Sequence, residues 1–295
     1  MSKRKVVLGI DLGASNSGAS YMCDILHIPV GTEFQDGSTL TASAARILGE
    51  IGDSQAVEPL IDVLKNDKNG SVRLYAARAL GELGDVNATT PLIESLREDR
   101  NVDVRVRAAR ALGRLGGKEV VEPLVEALND ENPQVCITAT DALIEIGDVA
   151  TDALMESLDH EKVNVRCDAT RALGEIGNPK AVDKIITMLN DEWVNVRIYA
   201  VTSLGKLNNK KAVPALIEVM KNEKENDLVR AGAAAALGVL RDQRALLPLR
   251  ELIINAEELG ELEDTALKSF KKIMAANWEA MQQQNTQTVK KPSFF

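Results

Sequence analysis

A Leu-Gly pair returns along this chain at a nearly fixed interval, at Leu48-Gly49, Leu80-Gly81, Leu112-Gly113, Leu173-Gly174, Leu204-Gly205 and Leu237-Gly238, with Leu143-Ile144 in its place once, so that the leucines stand at steps of 32, 32, 31, 30, 31 and 33 residues. A period of this size means that one small unit is stacked on copies of itself, each burying a face it cannot bury alone. The chain of 295 residues is therefore expected to form one elongated solenoid rather than two ordinary globular domains. Solenoids offer a long surface more than a reaction centre.

Aligned on that pair, the unit reads Val-Arg-x-x-Ala-x-x-Ala-Leu-Gly-x-Leu-Gly, a short loop, then Pro-Leu-Ile-x-x-Leu and an Asp-containing turn. Val72, Ala76, Leu80 and Leu83 recur at three- and four-residue steps, as do Leu60, Ile61 and Leu64 after Pro59, so each unit is predicted to be a hairpin of two helices with buried stripes. Pro59, Pro91, Pro123, Pro214 and Pro248 fall in the first turn of the second helix, where a missing N–H removes no helical bond. Gly52, Gly84, Gly116, Gly147, Gly177 and then Asn208 close the first helix at a left-handed position. The Gly of Leu-Gly lies inside the helix, at a cost of roughly 1 kcal/mol against Ala, which close approach of a neighbouring backbone would offset.

Composition narrows the partners. Aromatics make up 3% of residues and the wider hydrophobic class 45%, so the interior must be Ala, Leu, Val and Ile. The net charge of -9 and the pI near 5.0 argue against a nucleic-acid partner, which needs a basic face. The longest apolar stretches fall far short of the ~20 residues needed to cross a bilayer, and Lys3-Arg4-Lys5 is not followed by a signal-peptide core. Three cysteines, Cys23, Cys136 and Cys167, fit a reduced cytoplasmic protein without a stable disulfide.

The string Arg105-Val-Arg-Ala-Ala-Arg-Ala-Leu-Gly-Arg-Leu-Gly116 resembles the HEAT repeats of the phycobilisome-lyase-like class, and the resemblance spans about residues 36–254, with a degenerate first unit whose Arg position is Thr41. It implies an all-α, right-handed superhelix with the Val-Arg helix on the concave side and the Pro-Leu helix on the convex side. It also implies that Arg73, Arg105, Arg166, Arg197 and Arg230 form a structural inter-repeat ladder with acidic residues such as Asp67, Asp99 and Asp191, six residues upstream. Residues 1–35 are expected to form an N-terminal cap, with a strand at Val6–Ile10 and an imperfect helix at Tyr21–Ile28. Residues 255–283 are expected to supply capping helices and 284–295, ending in Phe294-Phe295, a disordered tail.

Candidates for chemistry are few. Leu8-Gly-Ile-Asp-Leu-Gly-Ala-Ser-Asn-Ser17 resembles the first phosphate loop of the actin and heat-shock chaperone ATPases, but the two α/β lobes of that fold do not follow, and a capping strand and turn is the preferred reading. His160-Glu161 resembles one His-Glu pair of deoxyhypusine hydroxylase, which uses several; His160 stands where Asp130 and Asp191 stand in neighbouring units and reads as a turn or ladder residue. Cys136 and Cys167, on adjacent first helices, read as small buried residues, with a role in cofactor attachment as the alternative. No metal or cofactor site is expected.

The remaining candidate is the concave face. Its exposed positions are Leu74, Tyr75, Arg78 and Glu82; Val106, Arg107, Arg110 and Arg114; Ile137, Thr138, Asp141 and Glu145; Cys167, Asp168, Arg171 and Glu175; Ile198, Tyr199, Thr202 and Lys206; and Ala231, Gly232, Ala235 and Val239. Tyr and Arg are favoured at interface hot spots. The alternating rows Glu82, Arg114, Glu145 and Arg110, Asp141, Arg171 allow surface ion pairing, but Arg107, Arg110 and Arg114 gather three positive charges on one helix. Repeat four departs from its neighbours, with Cys136 for Arg, Ile144 for Gly and Ala153 for Pro, so a change of curvature is expected over about 133–160. The reading is a non-catalytic scaffold gripping an acidic or carboxylate-bearing protein partner through Tyr75, Arg78, Arg107, Arg110, Arg114, Asp141, Glu145, Asp168, Arg171, Glu175, Tyr199 and Lys206. Its alternatives are a bilin or tetrapyrrole lyase-like role and nucleotide binding through the N-terminal loop.

Overall fold

The computed structural model describes residues 45–255 and 260–289, and the expected N-terminal cap, the Leu8–Ser17 loop, Cys23, His27 and Phe294-Phe295 lie outside them. Among the described residues every regular element is a helix. The chain divides into two compact units, Met1–Ala153 and Leu154–Phe295. Ala153, the residue that stands in place of proline in repeat four, closes the first.

The first unit contains α1 (45–51), α2 (Val57–Asn66), α3 (Gly70–Leu83), α4 (Thr89–Glu98), α5 (Val102–Leu115), α6 (Val121–Glu126) and α7 (Pro133–Ile146). A short helix α8 (Thr151–Ser157) spans the division. The second unit continues with α9 (Val163–Ile176), α10 (Val182–Met188), α11 (Val194–Leu207), α12 (Val213–Lys221), α13 (Asp227–Leu240), α14 (Leu246–Ile254) and α15 (Glu261–Val289). In each unit the longer Val-Arg helices stack directly on one another, α3 on α5 on α7 and α9 on α11 on α13 on α15, with the Pro-Leu helices packed behind them.

The buried stripe is Val72, Ala76 and Leu80 in α3, repeated as Val104, Ala108 and Leu112 in α5. Leu83 and Ile61, expected to be buried, are only half-buried. Leu83 ends its helix, and Val63 rather than Ile61 joins Leu60 and Leu64 in the core of α2. The glycine of Leu-Gly is explained by contact: a methyl group on Gly81 would stand 2.6 Å from the Ala111 Cβ, and one on Gly113 2.8 Å from the Ala142 Cβ. In the second unit Gly174 faces Ser203, whose hydroxyl donates to the Thr170 carbonyl at 2.8 Å and ties α11 to α9. The alanine spine therefore sets how closely the helices approach, and the hydrophobic effect acts through small residues at short distance.

The loop between the two helices of a repeat is a short 3-10 turn. Asp53, Asp85, Asn178, Asn209 and Asp242 cap such turns by accepting from the backbone N–H two residues on. The expected prolines follow in the first turn of the next helix. Gly84, Gly177 and Asn208 are left-handed as expected, whereas Gly116 and Gly147 combine positive φ with ψ of -162° and -135°. That region belongs essentially to glycine. Arg241 takes the equivalent position in repeat seven with φ 49°, which its residue type did not announce.

The C-terminal segment departs from expectation, because α15 is one helix that runs on to Val289 where disorder was expected from 284. Nothing breaks it: no Gly or Pro lies between Glu261 and Val289, and the first such residue is Pro292. Leu262, Ala266, Ser269 and Ile273 bury one stripe of it.

Candidate functional site

The arginines of the Val-Arg motif are structural, and their partners differ from those expected. Arg73 donates from Nε and Nη2 to the two Asp99 carboxylate oxygens, each at 2.7 Å, and from Nη1 to the Asp67 carbonyl at 2.9 Å. Arg105 repeats this with Asp130 at 2.9 Å twice and the Asp99 carbonyl at 2.9 Å. Arg166 does so with Asp191 at 2.8 and 3.1 Å and the His160 carbonyl at 2.9 Å. The residue six positions upstream thus supplies its backbone oxygen, and the carboxylate comes from the following repeat, 25 or 26 residues downstream.

These forks are bidentate and shielded, with side-chain exposures of 9% for Arg73 and 7% for Asp99, which places them among the stronger protein ion pairs. Burial alone would raise the Asp99 and Asp191 carboxyls, but the Arg73 and Arg166 guanidiniums and the backbone amides of Asn101 and Trp193 outweigh it and hold both below the usual carboxylate range. The ladder weakens towards the C-terminus. Arg197 reaches Glu225 through Nη2 alone at 2.7 Å, its buried Nε has no partner, and Arg230 turns back to the Met220 carbonyl and Asp227.

Repeat four lacks both ladder groups in sequence, with Cys136 at the Arg position and His160 at the Asp position. Each fills its place locally. Cys136 is buried and its thiol donates to the Asp130 carbonyl at 3.3 Å, the carbonyl an Arg would have met. His160 Nδ1 accepts from the Lys162 amide at 3.0 Å, as Asp130 and Asp191 accept from Asn132 and Trp193. This confirms the reading of His160 as a turn residue. Among the described residues no group of three or more His, Cys, Asp and Glu side chains is placed to hold a metal.

The positions expected on the concave face do share the outward side of the Val-Arg helices, with one exception. Thr138 is buried, and its hydroxyl donates to the Gln134 carbonyl at 2.8 Å. In the first unit Arg78, Glu82, Arg107, Arg110, Ala111 and Arg114 line a cleft of about 270 Å³ between α3 and α5. Arg78 is tied to Glu82 at 2.8 Å one turn on. Arg110 and Arg114 are exposed and Arg107 half-exposed, and none of the three has a hydrogen bond or ion pair among the described residues. The row Glu82, Arg114, Glu145 is therefore not a line of surface ion pairs. Tyr75 on α3 and Asp141 and Glu145 on α7 lie outside the cleft lining.

The second unit is different. Lys206 pairs with Glu175, and Asp168 and Arg171 also have partners. Tyr199, 37% exposed, lines a cleft of about 370 Å³ with Asn164, Cys167, Asp168, Asn195 and Ile198. Asn164 and Asn195 lie outside the sequence-expected face, although the doubled string Val-Asn-Val-Arg at 163–166 and 194–197 carries them. Burial first, and then Asp168 and Asp191, push the Cys167 thiol up to about 11. It stays protonated near neutral pH and is a poor nucleophile.

The HEAT-repeat profile matches residues 38–101, 89–166 and 183–271, and that of the PBS lyase HEAT-like repeat matches 165–191. No curated protein matches the chain. Among solved structures, human deoxyhypusine hydroxylase in complex with glycerol aligns at 21% identity over 82% of this chain and 92% of its own, with a TM-score of 0.39. The CpcE–CpcF complex of phycocyanin lyase from Nostoc sp. PCC7120 aligns at 22% over 92% and 100%, with a TM-score of 0.41. The YibA protein of E. coli aligns at 23% over 78% and 86%, with a TM-score of 0.47.

Proposed function

The chain belongs to the HEAT-repeat family, and on that premise we propose that it is a non-catalytic scaffold holding an acidic protein partner on the outward face of its Val-Arg helices. The observation that carries this reading is the trio Arg107, Arg110 and Arg114 on α5, which has no partner among the described residues, whereas the other arginines of the Val-Arg helices there are matched by carboxylates or carbonyls. Rigid helices present these groups with little ordering entropy left to lose on binding. Tyr75 and Arg78 extend the contact on α3, with Asp141 and Glu145 on α7. Asp168, Arg171, Glu175, Tyr199 and Lys206 form the corresponding surface of the second unit. The net charge of -9 disfavours a nucleic-acid partner. No described helix is long and apolar enough to cross a membrane, and the free thiols of Cys136 and Cys167 suit a cytoplasmic setting.

Affinity capture from native lysate tests the reading. Wild type should recover a defined partner, and Arg107→Glu with Arg110→Glu should lose it; undiminished recovery by the double variant would remove the α5 face from the interface. A second reading, handling of a bilin, draws on the PBS lyase HEAT-like match at 165–191 and on the Tyr199 cleft within reach of Cys167. Mixing with a bilin should then shift its visible absorbance. The protonated Cys167 thiol speaks against covalent attachment there at neutral pH.

A further inference from the structure

We infer that the cleft between α3 and α5 is a site for a doubly charged phosphoryl group, so that the partner engages it through a phosphorylated side chain. This rests on the scaffold reading and specifies its ligand.

The charge balance of the cleft is the first reason. Arg78 is neutralised by Glu82 at 2.8 Å, which leaves Arg107, Arg110 and Arg114 with no paired anion among the described residues. One carboxylate brings a single charge and two oxygens to three guanidiniums, each carrying five N–H donors. A phosphoryl group brings about 1.5 to 2 negative charges and three acceptor oxygens, and planar guanidinium forks match it in pairs.

Placement is the second reason. The spacing of three and four residues puts all three arginines on one side of α5, and Ala111 between them leaves the floor low. At about 270 Å³ the cleft lies below the roughly 300–1,000 Å³ of sites that enclose a drug-sized ligand. It suits one charged side chain better than a large cofactor. The chain's net charge of -9 disfavours long-range attraction of an extended polyanion or an anionic membrane.

Fluorescence anisotropy with three labelled peptides of one neutral sequence, carrying phosphoserine, serine or glutamate at the centre, tests this. The phosphopeptide should bind about ten-fold or more tighter than the glutamate peptide, the serine peptide should not bind, and millimolar inorganic phosphate should compete. Arg110→Gln and Arg114→Gln should each weaken the phosphopeptide about ten-fold with unchanged thermal unfolding. Equal binding of the glutamate and phosphoserine peptides would overturn the inference while leaving an acidic-partner scaffold in place. So would absence of binding by all three peptides, provided affinity capture still responds to Arg107→Glu with Arg110→Glu. Arginine-dependent sedimentation with phosphoinositide vesicles, without phosphopeptide binding, would assign the cleft to a membrane and also overturn it.

Discussion

Helix α5 carries four arginines in ten residues, Arg105, Arg107, Arg110 and Arg114, and its two faces use them in opposite ways. On the packed side, Arg105 is buried and spans two repeats through a bidentate bond to Asp130 and a bond to the Asp99 carbonyl. On the outward side the other three have no partner among the described residues. The difference teaches that residue type alone does not mark a binding site in a repeat protein; the local supply of carboxylates does. Where each repeat delivers an Asp to the one before it, arginine becomes part of the scaffold. Where none is delivered, its charge stays unmatched among the described residues.

The sharpest way to break this contrast is to remove one member of each set. Arg105→Met removes a buried guanidinium and leaves the half-buried Asp130 carboxylate without its partner, and should lower unfolding stability by about 3 kcal/mol, read from urea denaturation. Arg110→Met should change it by less than about 0.5 kcal/mol. Comparable losses in the two variants would contradict the division of roles.

Much of the architecture is legible in the order of residues alone. The Leu-Gly period, the first-turn prolines and the capping glycines each have a local cause, so each leaves its mark at a fixed place in the repeat. The carboxylate partners of the ladder do not, because Arg73 and Asp99 are joined across 26 residues and meet only when repeats are stacked. Arg241 hides a left-handed backbone behind a residue type that gives no hint of it. A helical template treats all repeats alike and places Thr138 at the surface; in repeat four the residue is buried and its hydroxyl turns back to the Gln134 carbonyl. The arginine trio of α5 is visible in sequence, but that it meets no carboxylate partner among the described residues is not.

Smaller effects refine the comparison. Gly81→Ala should cost about 1–3 kcal/mol by overpacking, since the new methyl would meet the Ala111 backbone and side chain, whereas the same change at an unstacked helix position would stabilise. Acid should act on the packed face alone. Asp99 and Asp191 titrate below their unfolded value, so the unfolded chain binds more protons, the ladder's contribution is complete above about pH 4, and it is lost as pH falls through the folded pKa values. Asp99→Asn should flatten that acid slope in urea midpoints measured from pH 6 down to 3. Arg241→Gly should raise stability by about 1 kcal/mol, by relieving the left-handed strain on a residue with a Cβ.

Hydrogen exchange of the arginine Nε–H groups, followed by NMR on the intact chain, separates the two sets most directly. Arg73, Arg105 and Arg166, whose Nε–H groups donate to aspartates at 2.7 to 2.9 Å, should exchange slowly, and Arg107, Arg110 and Arg114 at the rate of free arginine. Protection of the α5 trio equal to that of Arg105 would mean that their charges are already satisfied within the protein, and the outward face would lose its claim to a partner.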